Sequence, residues 1–334
     1  MSRTKRTDFL GWLALLTIIA YCFIAAFRDE SIGTDTARYI DRFYDARGNF
    51  SFVREIEPGF DFITLLLSLQ PNHGIYLLFW LAVTSFFLFN IHTHGLNRNF
   101  ALFLFISMCY PFFYGMTLNV IRQGVGFSLI FSYLLIHRKR FWFSFAAMLV
   151  AASIHYASLI FSILIIASRN AKFELTLGFW LLGLSIGILG PADMVGSVVN
   201  VLFPEVGYYS SYFLENSSDY KTGFRFDFIL YSLIGTLASV YIFYFRRRCR
   251  NDIVMGELSF ETLAKAYLAM NGFALIFLRL PYADRYLSWS WYLYPIFVLY
   301  LIRQFYKFST LSLTFVFMIG SWVMIYFNLS GNWW

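Results

Sequence analysis

A chain of 334 residues that is 59% hydrophobic and only 13% charged, with a mean hydropathy of +0.61, excludes an ordinary soluble domain, whose wetted surface carries roughly 25% charged residues. Aromatics at 22% suit a helical bundle filled by large rings and belted by Tyr and Trp at two interfaces. In such a chain the net charge of +7 bears on which side of a bilayer each cation occupies, and no nucleic-acid partner is expected.

The N-terminus reads Met1-Ser2-Arg3-Thr4-Lys5-Arg6 before an apolar run from about Phe9 to Phe27. That run is longer than a signal-peptide core and has no small-residue cleavage site after it. It predicts an uncleaved first span with a cytoplasmic N-terminus in a bacterial inner membrane. A polar outer loop follows over 28–58, where Tyr39, Ile40, Phe43 and Tyr44 fall at helical spacing and predict a short helix lying on the membrane surface. The stretch 59–70 is too short to cross and reads as a half or re-entrant helix.

Further apolar runs lie near 74–92, 100–117, 120–136, 141–154, 156–168, 173–190, 226–245, 260–278, 286–302 and 309–328. The region 141–168 is one long tilted helix or two short ones broken at His155. Making it a hairpin leaves 16 of the 26 Lys and Arg on the cytoplasmic side, among them Arg138-Lys139-Arg140 and Arg246-Arg247-Arg248-Cys249-Arg250. The fold expected is all-α: a polytopic transmembrane helix bundle of about eleven spans (ten to twelve) forming a single membrane domain over 1–334. A second, larger outer loop spans 190–224.

Several side chains could carry chemistry. Arg122, Arg279 and Arg285 sit at or within the ends of apolar runs, and Arg28 and Arg225 at span boundaries, where an unpaired charge is costly. A guanidinium stays protonated and grips phosphate oxygens two at a time, which suits a membrane-bound diphosphate. The bland alternative is snorkelling or local pairing, such as Arg285 with Asp284 or Arg225 with Asp227. Asn119 and Gln123, four apart beside Arg122, make a candidate saccharide or phosphate site on one helical face; helix capping by Asn119 is the alternative.

His155 interrupts a run of small residues and could act as a base near neutral pH, or be a hydrogen-bonded structural histidine. In the first outer loop, Asp35 and Glu57 could deprotonate a sugar hydroxyl or stabilise an oxocarbenium ion, or simply be solvated. Cys22, Cys109 and Cys249 have no metal-ligand spacing, so neither metal, cofactor nor disulfide framework is expected.

The order Arg28…Gly33-x-Asp35…Tyr39, Glu57-Pro58-Gly59-Phe60, Asn119-x-x-Arg122-Gln123 and Ile154-His155-Tyr156-Ala157-Ser158 resembles the EpsG-like family of Wzy-type O-antigen and capsule polymerases. The likeness is densest over about residues 25–165. Gly223-x-Arg225 and the Arg279…Arg285 region are compatible with it, and Gly124 stands where Ala is more usual in that family.

The resemblance implies a metal-independent glycosyltransferase whose donor is an undecaprenyl-diphosphate-linked glycan and whose acceptor is a lipid-linked repeat unit. It also implies a chain-length regulator and a flippase as pathway partners. On this reading Arg122, Arg279 and Arg285 stabilise the diphosphate, and His155, Asp35 or Glu57 is the base. Gly33, Tyr39 and Gly59 shape the loop. Two alternatives use the same substrate: a polysaccharide ligase, and a non-enzymatic flippase or transporter of the lipid-linked unit.

Overall fold

The computed structural model describes residues 3–49, 57–91, 100–136, 141–190, 224–245, 260–280, 282–305 and 310–330. Every regular element among them is helical, as the apolar runs predict. In chain order these are α1 (Arg3–Ala26), α2 (Thr36–Asn49), α3 (Pro58–Leu67), α4 (His73–Ile91), α5 (Phe100–Met108) and a single turn, α6 (Pro111–Tyr114). A π-helical turn (Gly115–Asn119) leads into α7 (Ile121–Ile130) and a second π-helical stretch (Phe131–Ile136). Then come α8 (Phe141–Ile154), α9 (Ala157–Asn170), α10 (Phe173–Leu189), α11 (Phe226–Phe245), α12 (Phe260–Leu275), α13 (Ala283–Trp291), α14 (Tyr294–Phe305) and α15 (Thr310–Leu329). Residues 191–223 of the outer loop expected at 190–224, the two arginine clusters at 138–140 and 246–250, and the part of the 28–58 loop just before Glu57 lie outside the described residues.

Among the described residues, three helices are long and apolar enough to cross a membrane unaided: Phe9–Ala26, Phe226–Tyr244 and Leu311–Leu329. The run 100–117, expected as one span, is instead a pair, Ala101–Met108 and Pro111–Asn119, bent by 85°. Pro111 causes the bend: it has no N–H for the helical ladder and drives Tyr110 into extended backbone. The run 286–302 likewise breaks after Trp291, and α14 restarts with Pro295 in its first turn, where a missing N–H costs nothing. The remaining apolar runs include short helices over Pro58–Leu67, His73–Leu88, Trp142–Ile154, Ala157–Asn170 and Phe173–Leu189. These describe a polytopic helical membrane protein.

Contacts divide the described residues into two compact units: one runs to Ser162 and resumes at Pro295, the other takes Ile163 to Tyr294. In the first, α1 packs on α4 and α5, α4 on α7, α7 on α8, and α5 on α15. Tyr21, Phe43, Phe60, Tyr76, Trp80 and Tyr114 fill its core.

Helix α2 forms where the spacing predicts a helix, but its apolar stripe of Tyr39, Ile40, Phe43 and Ala46 is buried against protein. The Phe43 ring meets Tyr76 at 5.4 Å and Tyr39 meets Phe60 at 5.9 Å, while Arg38, Asp41, Asp45 and Arg47 face outward. The helix is therefore a cap over α3 and α4. Of its large apolar side chains Tyr44 is exposed, its hydroxyl 3.0 Å from His73 Nδ1.

In the second unit, α10 and α12 touch backbone to backbone. A Cβ at Gly272 would come within 2.7 Å of Trp180 Cα, and one at Gly183 would strike the Gly272 carbonyl. Such close approach is how apolar helices gain dispersion contact in lipid, where no hydrophobic force drives them together. Asn271, fully buried on α12, accepts from Trp180 Nε1 at 2.7 Å and donates to Ser232 Oγ at 3.0 Å and Ser290 Oγ at 2.8 Å.

Candidate active site

The sequence blocks of the first unit converge on the N-terminal turn of α3. Glu57 caps this helix with its backbone, Pro58 occupies the first helical position, and Gly59 lies so close to Ser153 on α8 that a Cβ would strike the serine hydroxyl. Burying the turn against α8 places the Glu57 carboxylate at the break between α8 and α9. There Oε1 accepts a hydrogen bond from His155 Nδ1 at 2.7 Å and another from the Tyr156 amide at 3.3 Å. Glu57 thus takes up an N–H that an unbroken helix would turn inward to its own ladder. That is the physical reason for the interruption at His155–Tyr156.

The second oxygen, Oε2, is held by Arg122 from the second position of α7. Arg122 lies where it does because the chain does not continue as a single helix through Asn119. The π-helical turn ends with the Val120 amide bonded to the Gly115 carbonyl at 2.9 Å, Val120 leaves helical conformation, and α7 starts afresh at Ile121. Asn119 and Gln123 therefore do not share one continuous helical face. Nor does Asn119 cap α7: its Oδ1 accepts the Thr34 amide at 3.0 Å and so ties the first outer loop to this turn. Gln123 is buried on α7, one residue on from Arg122.

The Arg122 guanidinium carbon stands 5.4 Å from the Phe60 ring centre and 6.0 Å from that of Tyr39, in cation–π range of both, and Arg122 also hydrogen-bonds the Tyr39 phenol. Burial pushes the Tyr39 phenol above its ordinary pKa. Burial alone would also raise the Glu57 carboxyl. The hydrogen bond and charge of His155, the Arg122 guanidinium and the Tyr156 amide outweigh it and hold Glu57 down to about 2.

Arg28 organises the loop from beneath. Its buried guanidinium donates to the carbonyls of Ala25 at 2.5 Å, Ile32 at 3.1 Å and Leu118 at 3.0 Å and to Thr36 Oγ1 at 2.8 Å. Burial pulls its pKa down to about 10. Gly33 has φ +93°, which an L side chain rarely adopts, and a Cβ there would sit 2.6 Å from Asn119 Oδ1. Asp35 opens α2, its carboxylate 3.6 Å from the exposed Arg38.

The other three arginines belong to the second unit. Arg279, after α12, donates to the Ile188 carbonyl. Arg285, in the first turn of α13, has its guanidinium carbon 4.7 Å from the ring of Tyr282, which precedes that helix at φ +60°. Arg225 pairs with Asp227 at 2.9 and 2.6 Å and lies over Phe228 at 3.9 Å. This is the local pairing foreseen as the alternative to ligand binding.

One further ion pair escaped the sequence reading: Arg42 of α2 and Asp61 of α3, 2.5 Å apart. Two signals point to it. Arg42 falls three residues after Tyr39, on the apolar stripe of its own helix, and Asp61 is the lone charge in the apolar run 59–67. Among the described residues, no group of three or more His, Cys, Asp or Glu side chains is placed to hold a metal ion.

An apolar, broken-helix bundle with a carboxylate, an imidazole and a guanidinium locked together at helix ends defines a polytopic membrane protein with a built polar site. A family model of the EpsG family matches residues 11–332, nearly the whole chain, and the protein belongs to that family, which is associated with Wzy-type polysaccharide polymerases. No curated protein and no solved structure matches the chain.

Proposed function

We propose that the protein is a Wzy-type polymerase of the bacterial inner membrane, with a cytoplasmic N-terminus, about eleven crossings and its reaction on the periplasmic face. It transfers a growing glycan from undecaprenyl diphosphate to the acceptor sugar of a lipid-linked repeat unit, without a metal. The observation that carries this is the Glu57–His155–Arg122 cluster, assembled from three sequence blocks up to 98 residues apart.

The geometry favours His155 over Glu57 as the base. Glu57 is buried, held at about 2, and engaged by His155, Tyr156 and Arg122, so it is poorly suited to accept a proton. His155 donates Nδ1–H to that carboxylate, which fixes the tautomer with the lone pair on Nε2. This is the orienting logic of a carboxylate–histidine pair, in which the carboxylate also steadies the imidazolium as it forms. His155 Nε2 takes the proton of the acceptor hydroxyl as its oxygen bonds to the anomeric carbon of the donor. The anomeric carbon–phosphate oxygen bond breaks, and its electron pair leaves with the diphosphate. Arg122, partly exposed and with more N–H donors than Glu57 and Tyr39 occupy, stabilises that charge. Arg28, Asn119, Gly33 and Gly59 position the cluster, and Asp35 opens the capping helix.

A gel of surface polysaccharide from the host, with and without the gene and with Arg122→Ala restored, tests the proposal. Loss of the ladder with a single repeat unit retained is expected in both the deletion and the variant. Loss of the single unit as well would point to ligation or flipping and overturn the proposal.

A further inference from the structure

The first turn of α3 carries two carboxylates, not one. Glu57 and Asp61 are one helical turn apart, with the Asp61 amide donating to the Glu57 carbonyl at 3.1 Å, and each holds an arginine from a different helix. Arg122 comes from α7 and Arg42 from α2. Both cations lie near the Phe60 ring, with the guanidinium carbon of Arg42 at 5.3 Å and that of Arg122 at 5.4 Å from its centre.

Burial is unequal within both pairs, and in the same sense. The Asp61 side chain is 3% exposed against 14% for Arg42, and Glu57 is 4% exposed against 31% for Arg122. An ordinary surface salt bridge leaves both partners wet. Here each carboxylate is sunk beneath its arginine, so the cation is what each pair presents. Phe60 and the two sunken carboxylates hold the guanidiniums in place, and a preorganised cation costs less to bring to an anion than a free side chain does.

We infer that Arg42 is a second anion ligand of this site, and that Arg42 and Arg122 together hold the two phosphates of a diphosphate group. The inference rests on the reading of the site proposed above and adds a residue that the sequence motifs do not contain. It also gives α2 a function: the helix that caps α3 brings one of the two cations, so the diphosphate is gripped from α2 and α7 at once. A site with one arginine would favour pyrophosphate over orthophosphate only through its larger charge, whereas two fixed guanidiniums add a second grip and widen the preference.

The test is calorimetric titration of the full-length protein, in neutral detergent free of anionic lipid, with inorganic pyrophosphate and with orthophosphate. The expected result is a clear preference for pyrophosphate. Arg42→Gln should narrow that preference and lose at least tenfold in pyrophosphate affinity, and Arg42→Lys, which keeps the charge but not the planar fork, should show part of both effects. Asp61→Asn should bind pyrophosphate at least as well as wild type, because it relieves Arg42 of its carboxylate; this variant reports on the inference even if Arg42→Gln fails to fold. Unchanged pyrophosphate affinity in Arg42→Gln, with binding abolished by Arg122→Ala, would reduce Arg42 to a strap between α2 and α3 and leave the proposed site standing. Binding unaffected by either variant would overturn both. Competition by phosphatidylglycerol nanodiscs as strong as that by pyrophosphate would assign the pair to a lipid headgroup and overturn the inference alone.

Discussion

In the second unit, Asn271 lies fully buried within α12, and its partners Trp180, Ser232 and Ser290 are all neutral. In the first, Glu57, Arg122 and His155 are ionisable, sit at a helix start or a helix break, and keep the guanidinium and imidazole partly exposed. Both arrangements bury polar atoms among apolar helices, yet they answer different demands. A neutral amide with each group satisfied can tie its own helix to three others without drawing in water or ions. Ionisable groups cost more to bury and are retained where charge must be met or moved. The contrast separates the scaffold from the proposed reacting centre without reference to any motif.

The sharpest way to break this contrast is at Glu57. Glu57→Gln removes the charge that holds both Arg122 and His155; breaking a fully buried pair on one side costs about 3–5 kcal/mol, and the partial exposure of Arg122 brings the cost below that. Chain extension should vanish, and the melting temperature in detergent should fall well below that of wild type. A variant that still extends chains would show the carboxylate to be incidental.

Asn271→Leu makes the opposite prediction. It leaves the Trp180, Ser232 and Ser290 groups to find other partners, at about 1–3 kcal/mol for each group left unsatisfied. A lowered melting temperature is expected, with extension per folded molecule close to wild type. Lost extension at full stability would erase the distinction between the two regions.

Acid titration distinguishes them again. Because the folded pKa of Glu57, about 2, lies below its ordinary 4.5, the group stabilises the fold above about pH 4.5, and that contribution fades as pH falls toward 2. The stability advantage of wild type over Glu57→Gln should shrink across that window. An advantage constant down to pH 2.5 would mean that the carboxylate is not held low.

At the small end stands Arg225→Ala. Asp227 is well exposed, so the pair is worth no more than about 1 kcal/mol, and stability should barely change. Measured extension by this variant decides whether Arg225 has a role beyond its ion pair.

How much of this was legible beforehand depended on whether the signal was local. The all-helical class, the half helix after Glu57 and the interruption at His155 follow from run lengths and from one polar residue in a small-residue stretch. The meeting of Glu57, Arg122 and His155 does not, because periodicity within a run says nothing about which ends of which runs coincide; only the resemblance placed them in one protein family's pattern. The reading of Asn119 and Gln123 as one face failed because a π-helical turn, which has no sequence period of its own, ends between them. The helix at α2 was legible from its spacing but the partner of its stripe was not: an amphipathic stripe shows that something apolar covers it, and here the cover is α3 and α4. Arg42 on that stripe and Asp61 in its apolar run were the readable hints that the cover was protein.

The measurement closest to the central claim is extension of lipid-linked repeat units by purified protein, comparing wild type with His155→Gln at matched folding. The account predicts a loss of at least 10²-fold with the melting temperature little changed, the scale on which removal of a general base acts. Extension at the wild-type rate would contradict it and leave the Glu57–His155–Arg122 cluster as an element of architecture.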